Sequence, residues 1–153
     1  MVNPQKRGRR IAMTDPERDA YLAEQRTCRV ATVGPKGLHV TPLWFLWDGE
    51  ALWLYSLTGS QRWADIVRSP AIAVVVDDGH DYLELRGVEI TGEAEVVGEA
   101  PRIGEDVPEL VATESAFAHK YFGIDQLPLD HKHGWLRVKP TSIRSWDFRK
   151  IGA

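Results

Sequence analysis

Residues 29–70 read RVATVGPKGLHVTPLWFLWDGEALWLYSLTGSQRWADIVRSP. Two turn signals, Pro35-Lys36-Gly37 and Asp48-Gly49, divide the first part into three strand-like runs rich in β-branched and aromatic residues. The third run ends in Leu54-Tyr55-Ser56. A polar loop, Leu57-Thr58-Gly59-Ser60-Gln61-Arg62, leads into a short helix that Ser69-Pro70 closes. Ser60 stands where it can cap that helix, whose first N–H groups would face an anion. Arg62 adds a permanently charged fork suited to phosphate. The stretch therefore predicts strands feeding a phosphate seat.

Outward from it, the pattern stays mainly β. Thr14-Asp15-Pro16-Glu17 is a capping box, and a helix to about Gln25 follows. Pro42, inside the second strand, marks an edge, a bulge or a place where pairing stops. Residues 71–76 form a continuous apolar run, predicted to be a strand buried on both faces. Strands are expected over 82–91 and 93–97, broken at Gly87 and Gly92 where a sheet bends. A helical pattern covers 105–121 and Gly123 stops it. Residues 135–138 and 142–148 complete about seven short strands with two or three helices. The helices do not alternate with strands, which argues against a doubly wound parallel sheet and for a closed or nearly closed antiparallel barrel.

The 153 residues suit one domain, with a basic tail over 1–13 and the barrel over 14–150. The net charge of −3 provides no global field for nucleic acid, so no nucleic-acid partner is expected. Lys6, Arg7, Arg9 and Arg10 nonetheless crowd the start, where a solvated tail is the simplest reading. Cys28 is the single cysteine, so an intrachain disulfide is impossible and a reducing cytoplasm is the expectation. No apolar run approaches the roughly 18–20 residues of a membrane span, and no secretory signal opens the chain.

Acid–base constellations are scarce. His131-Lys132-His133 lacks partners at metal-ligand spacing and reads as loop, so no metal is expected. Ser56 has no general base near it in sequence. Trp44, Phe45, Trp47, Trp53 and Tyr55 place large flat surfaces near the seat. If such a chain is an enzyme, the hard chemistry belongs to a bound cofactor.

The order Arg29–Gly34, Val40–Phe45, Leu54–Ser56, Ser60–Arg62, Arg68–Pro70, then Tyr82–Gly87, Lys120–Gly123 and Ser145–Lys150, resembles the pyridoxamine 5′-phosphate oxidase-like split β-barrel proteins. The last two motifs resemble the flavin and deazaflavin oxidoreductase branch in particular. That resemblance implies a homodimer with cofactor sites at the subunit interface, and coenzyme F420 or flavin mononucleotide (FMN) as cofactor. It implies that Arg62, in place of a usual lysine, holds the phosphate beside Ser60, Gln61, Tyr55 and Ser56. It implies that Thr41, Pro42, Leu43 and Trp44 pass the ring system. Tyr82, Leu83 and Glu84 would lie on a strand along the ring's far side. Asp65, where asparagine is common, is expected to weaken the seat.

The leading expectation is a reductase passing a hydride from reduced F420 to a flat conjugated acceptor such as an enone, quinone or tetrapyrrole. The alternatives are FMN on the same fold, and a non-catalytic carrier of a cofactor, haem or fatty acid.

Overall fold

The computed structural model describes residues 1–153. The chain runs α1 (Asp15–Glu24), β1 (Thr27–Gly34), β2 (Gly37–Trp47), β3 (Leu52–Leu57), α2 (Gln61–Arg68) and β4 (Ala71–Asp78). It continues through β5 (Arg86–Val97), α3 (Pro108–Phe122) and β6 (His133–Asp147). The six strands are antiparallel and close a barrel in the order β1-β2-β3-β6-β5-β4. This is the closed mainly-β architecture that the strand and turn pattern predicts. No helix is long and apolar enough to cross a membrane.

The helix signals act locally as expected. The Thr14 hydroxyl accepts the Glu17 N–H at 3.2 Å, and the Glu17 carboxylate accepts the Thr14 N–H at 3.1 Å. Ser60 caps α2 by accepting the Trp63 N–H at 3.1 Å. Gly123, at φ 66°, takes the left-handed conformation that ends α3.

Strand alternation sorts the side chains into two cores. Leu52 and Leu54 of β3 point into the barrel with Val30, Phe45, Val74 and Leu136. Trp53 lies in a second, outer core with Leu110, Phe117, Tyr121 and Trp135, and Tyr55 packs against it under α3. The period of two makes this division unavoidable once a helix covers the outside of β3.

β2 pairs with β1 along its length up to Trp44, but with β3 only through Phe45, Leu46 and Trp47, opposite Leu54, Trp53 and Leu52. Residues 37–44 thus have a neighbour on one side only. Pro42 lies in this stretch, where a missing N–H is tolerated. At the parting point the Tyr121 hydroxyl accepts the Phe45 N–H at 3.0 Å. It also lies 2.7 Å from the Arg26 carbonyl and 2.6 Å from that of Phe45.

Four expectations need correction. β4 alternates, with Ile72, Val74 and Val76 inside and Ala73 and Val75 on an outer face that no helix covers. Tyr82–Glu84 is a 3₁₀ turn, not a strand, because Glu84 reaches back to cap the Asp81 N–H. The broken strands merge into single long ones, β5 and β6, paired across a bulge at Thr91/Gly92. A Cβ at Gly92 would run into the Lys139 carbonyl, so glycine serves the bulge without ending the strand. The basic tail is strapped to β6: the Asn3 N–H donates to the Thr141 carbonyl, and the Gln5 amide exchanges hydrogen bonds with the Ser145 backbone.

A buried ion cluster holds the loop before α3. Arg102 donates to Glu99 and to both oxygens of Glu114, which also accepts from the Trp135 indole at 3.0 Å. Burial alone would raise the Glu99 carboxyl. The N–H groups of Glu105 and Ile103 and the Arg102 guanidinium outweigh it and pull Glu99 down to about 2. Its folded-state value is depressed, so its stabilising contribution is present above the ordinary glutamate value and is lost as pH falls toward 2. Glu99→Gln should therefore destabilise the protein at neutral pH, and urea unfolding at a series of pH values should show the gap closing near pH 2. Separately, Tyr121→Phe leaves the buried Phe45 N–H without an acceptor. Chemical denaturation should show a loss of about 1–3 kcal/mol.

Candidate cofactor site at the barrel split

Past Phe45, β2 and β3 diverge and Arg62 bridges the gap. Its Nε donates to Ser56 Oγ at 3.2 Å and its Nη1 to Thr41 Oγ1 at 2.6 Å. The sequence brings them together in two steps. β3 ends at Leu57, the loop reverses, and Ser60, which also donates to the Leu57 carbonyl at 2.8 Å, starts α2. Arg62 then falls in the first turn of α2, where its side chain reaches back across the strands. The N–H groups of Gln61 and Arg62 have no acceptor within the chain. No carboxylate lies within ion-pairing distance of Arg62. Its half-buried guanidinium is lowered from the ordinary arginine value by desolvation, yet arginine stays charged at neutral pH.

Asp65, expected to weaken this seat, makes no ion pair with Arg62. Its buried carboxylate accepts from the Gln61 amide at 2.8 Å and from Thr32 Oγ1 at 2.9 Å, with Arg68 at 3.9 Å. The Gln61 bond leads in holding the Asp65 carboxyl below the usual range. The carboxylate is thus directed at β1 within its own hydrogen-bond shell. The same contact engages the Gln61 side chain, so Gln61 offers the seat its backbone N–H.

The other predicted residues divide. Thr41, Ser56, Ser60 and Arg62 converge. Leu43, Trp44 and Tyr55 line a neighbouring cleft of about 340 Å³ with Phe117, Phe122, Asp130 and His133. Pro42 lies on β2 between the two. Tyr82, Leu83 and Glu84 join neither group by hydrogen bonding or ring contact; Tyr82 packs on Phe148, with ring centroids 5.0 Å apart. The cause is local, since the capped 3₁₀ turn carries these residues off the sheet.

The cleft is built from flat surfaces. Trp44 stacks on Tyr121 at 4.3 Å and 9°, with the Arg26 guanidinium 5.5 Å from the Trp44 ring centre. A stacked pair of this kind contributes about 0.5–1.5 kcal/mol beyond its buried area. Tyr55 stacks on His133 at 4.8 Å and 18°. The Tyr55 hydroxyl is buried without a hydrogen-bond partner, and burial first, then Asp130 and Glu114, push it up to about 12. It is neutral at physiological pH. Lys120, in the last turn of α3, is pushed down to about 8 by burial over the Phe45 ring, and its Nζ donates to the Leu22 carbonyl at 3.1 Å. Sequence reasoning missed Phe117, Phe122, Asp130 and His133. The Asp130-x-Lys132-His133 spacing, which lets an aspartate accept the N–H groups two and three residues on, was the available signal.

Residues 14–147, from the cap of α1 to the end of β6, match the pyridoxamine 5′-phosphate oxidase family. The chain belongs to this family. Among solved structures, it is similar to a conserved hypothetical protein of Mycobacterium tuberculosis. The TM-score is 0.78 and identity 29%, over 99% of this chain and 94% of the other. It is also similar to an F420 reductase with a TM-score of 0.62 and 27% identity, over 82% and 94% of the two chains. A FAD-binding protein from Mycobacterium smegmatis, at 19% identity and a TM-score of 0.60 over 88% and 95%, shares the fold. No curated protein matches the sequence. The chain shares its barrel fold with these neighbours.

Proposed function

We propose that this protein is an F420-dependent oxidoreductase acting on a flat conjugated acceptor. The observation that carries this reading is the half-buried Arg62 guanidinium. It bridges the split with no carboxylate partner, beside two N–H groups of α2 without acceptors. Such a set fits a phosphate group. In this reading Arg62 and the N–H groups of Gln61 and Arg62 hold the phosphate, with Ser60 fixing the start of α2. The unpaired stretch of β2 from Thr41 to Trp44 offers backbone groups to the edge of a ring system. The aromatic cleft excludes water beside it. The cofactor supplies the hydride transfer, and so no protein nucleophile is required. The similarity to an F420 reductase at 27% identity favours F420 over FMN. The carrier reading drew on the charge of Asp65, whose carboxylate is held by Thr32 and Gln61 and makes no ion pair with Arg62.

The proposal includes a homodimer formed through the outer face of β1, β2 and β4. Leu38 and Val40 are 80% and 69% exposed there, beside Val33, Ala31 and Ala73. A contiguous apolar sheet face of this kind marks an association surface.

Purified protein titrated with F420 and, separately, with FMN should quench tryptophan fluorescence with F420 the tighter ligand. Arg62→Ala should weaken F420 binding at least about tenfold, as expected for loss of a charge-assisted phosphate contact. Absence of binding by either cofactor would overturn the enzyme reading. Light scattering should report a dimer, and Leu38→Glu should convert it to monomer with cofactor binding reduced.

A further inference from the structure

The second half of β6 lacks a strand on one side, and the N-terminal tail takes that place. β3 pairs with β6 only from His133 to Val138, so residues 139–147 have β5 but not β3 beside them. The Asn3 N–H donates to the Thr141 carbonyl at 2.8 Å, and the Asp147 N–H donates to the Ile11 carbonyl at 2.7 Å. Between them the Gln5 amide serves both polar backbone groups of Ser145, at 3.0 and 3.1 Å. Backbone groups and one neutral amide thus hold the tail. Lys6, Arg7, Arg9 and Arg10 take no part: all four side chains are exposed, and none makes an ion pair or a hydrogen bond within the chain. The first 13 residues contain no acid to neutralise them, in a chain whose net charge is −3.

Between tail and sheet lies a cleft of about 810 Å³, whose lining includes Lys6, Arg7, Ser142, Arg144 and Trp146. That volume stands in the upper part of the ~300–1,000 Å³ range of ligand pockets. Glu89 is the one carboxylate in the lining. It lies 3.9 Å from Arg144 Nε, too far for a direct hydrogen bond. Positive charge is therefore in excess. Trp146 adds a flat wall. It stands two residues from Arg144, on the same face of β6, and opposite Gly87 of β5 in register. A Cβ at Gly87 would run into the six-membered ring of the indole, so the ring rests on the β5 backbone where glycine leaves room.

We propose that this cleft binds a purine nucleotide with a chain of two or three phosphates, held by Lys6, Arg7 and Arg144, with its base beside Trp146. Arginine and lysine meet phosphate oxygens through charge-assisted hydrogen bonds, and any base can stack on an aromatic face. Three cations against one distant carboxylate call for more than a single negative charge, and a bare polyphosphate would leave Trp146 without a partner. The cleft is separate from the Arg62 seat. Arg62 joins Thr41 of β2 to Ser56 of β3, whereas the cleft lies on β5 and on the half of β6 beyond β3. Binding here requires neither that seat nor its occupant.

The test is calorimetric titration of the full-length protein, in low salt without divalent cations, with ATP, with sodium tripolyphosphate and with adenosine. ATP should bind more tightly than either of the others. Lys6→Ala combined with Arg7→Ala should weaken ATP binding at least about tenfold, as expected for loss of charge-assisted contacts. The pair should fold normally, because the tail is held by its backbone and Gln5. Trp146→Leu should weaken ATP binding and leave tripolyphosphate unchanged; if that variant fails to fold, the wild-type comparison of ATP with tripolyphosphate reports the base contact. Arg62→Ala should leave ATP binding as it is. The inference is overturned if ATP does not bind, if tripolyphosphate binds as tightly as ATP, or if the Lys6/Arg7 variant keeps full ATP affinity. Loss of ATP binding in Arg62→Ala would overturn it as well, by placing the nucleotide at the split.

Discussion

β2 and β3 share three register pairs and then separate, and the rest of the molecule is arranged around that separation. A closed barrel satisfies its backbone groups strand to strand. Where two neighbours part, those groups need other partners or a ligand. The protein closes one end of the gap with the Tyr121 hydroxyl, which serves both polar backbone groups of Phe45. It spans the gap with Arg62, bonded to Thr41 on one lip and Ser56 on the other. The stretch between has β1 but not β3 as a neighbour.

The two sides of the split differ in chemistry because strand alternation separates them. Ser56 follows the parity of Leu52 and Leu54 and faces inward, where Arg62 reaches it; Tyr55 faces outward to α3. The Arg62 cluster and the aromatic surface therefore meet adjacent residues of one strand, Ser56 and Tyr55, on its opposite faces. The acidic groups nearby are each directed elsewhere: Asp65 at Thr32 and Gln61, Glu114 at Arg102 and Trp135, Asp130 at His133. That arrangement leaves Arg62 the unneutralised charge at the seat. The Arg102 cluster has a different task. It fastens the loop before α3 to the helix and so fixes the wall of the cleft.

Much of this was legible before folding. Ser60 and Arg62 were readable because a cap and a helix-start charge are local devices, decided by residues within one turn. The strand ends, the Asp48-Gly49 hairpin and the Gly123 stop are local for the same reason. Of the readings offered for Pro42, the edge holds: it pairs with β1 but has no β3 neighbour, and proline's missing N–H is a property of the residue itself. Asp65 was readable only as a charge, because its partner Thr32 lies on a strand far away in the chain. The Tyr82–Glu84 turn misled because a β-like composition was outweighed by a carboxylate reaching back three residues.

The sequence by itself determined the secondary-structure elements, the two-sided strands and the candidate phosphate seat, because these depend on propensity, periodicity and caps within a few residues. Tertiary structure alone decided which β2 residues lose their β3 neighbour, where Asp65 points, and that His133 and Asp130 join Trp44 and Phe117 around one cleft. Those outcomes depend on contacts between residues far apart in the chain, such as Tyr121 with Phe45. They follow only once the barrel closes and α3 packs across it.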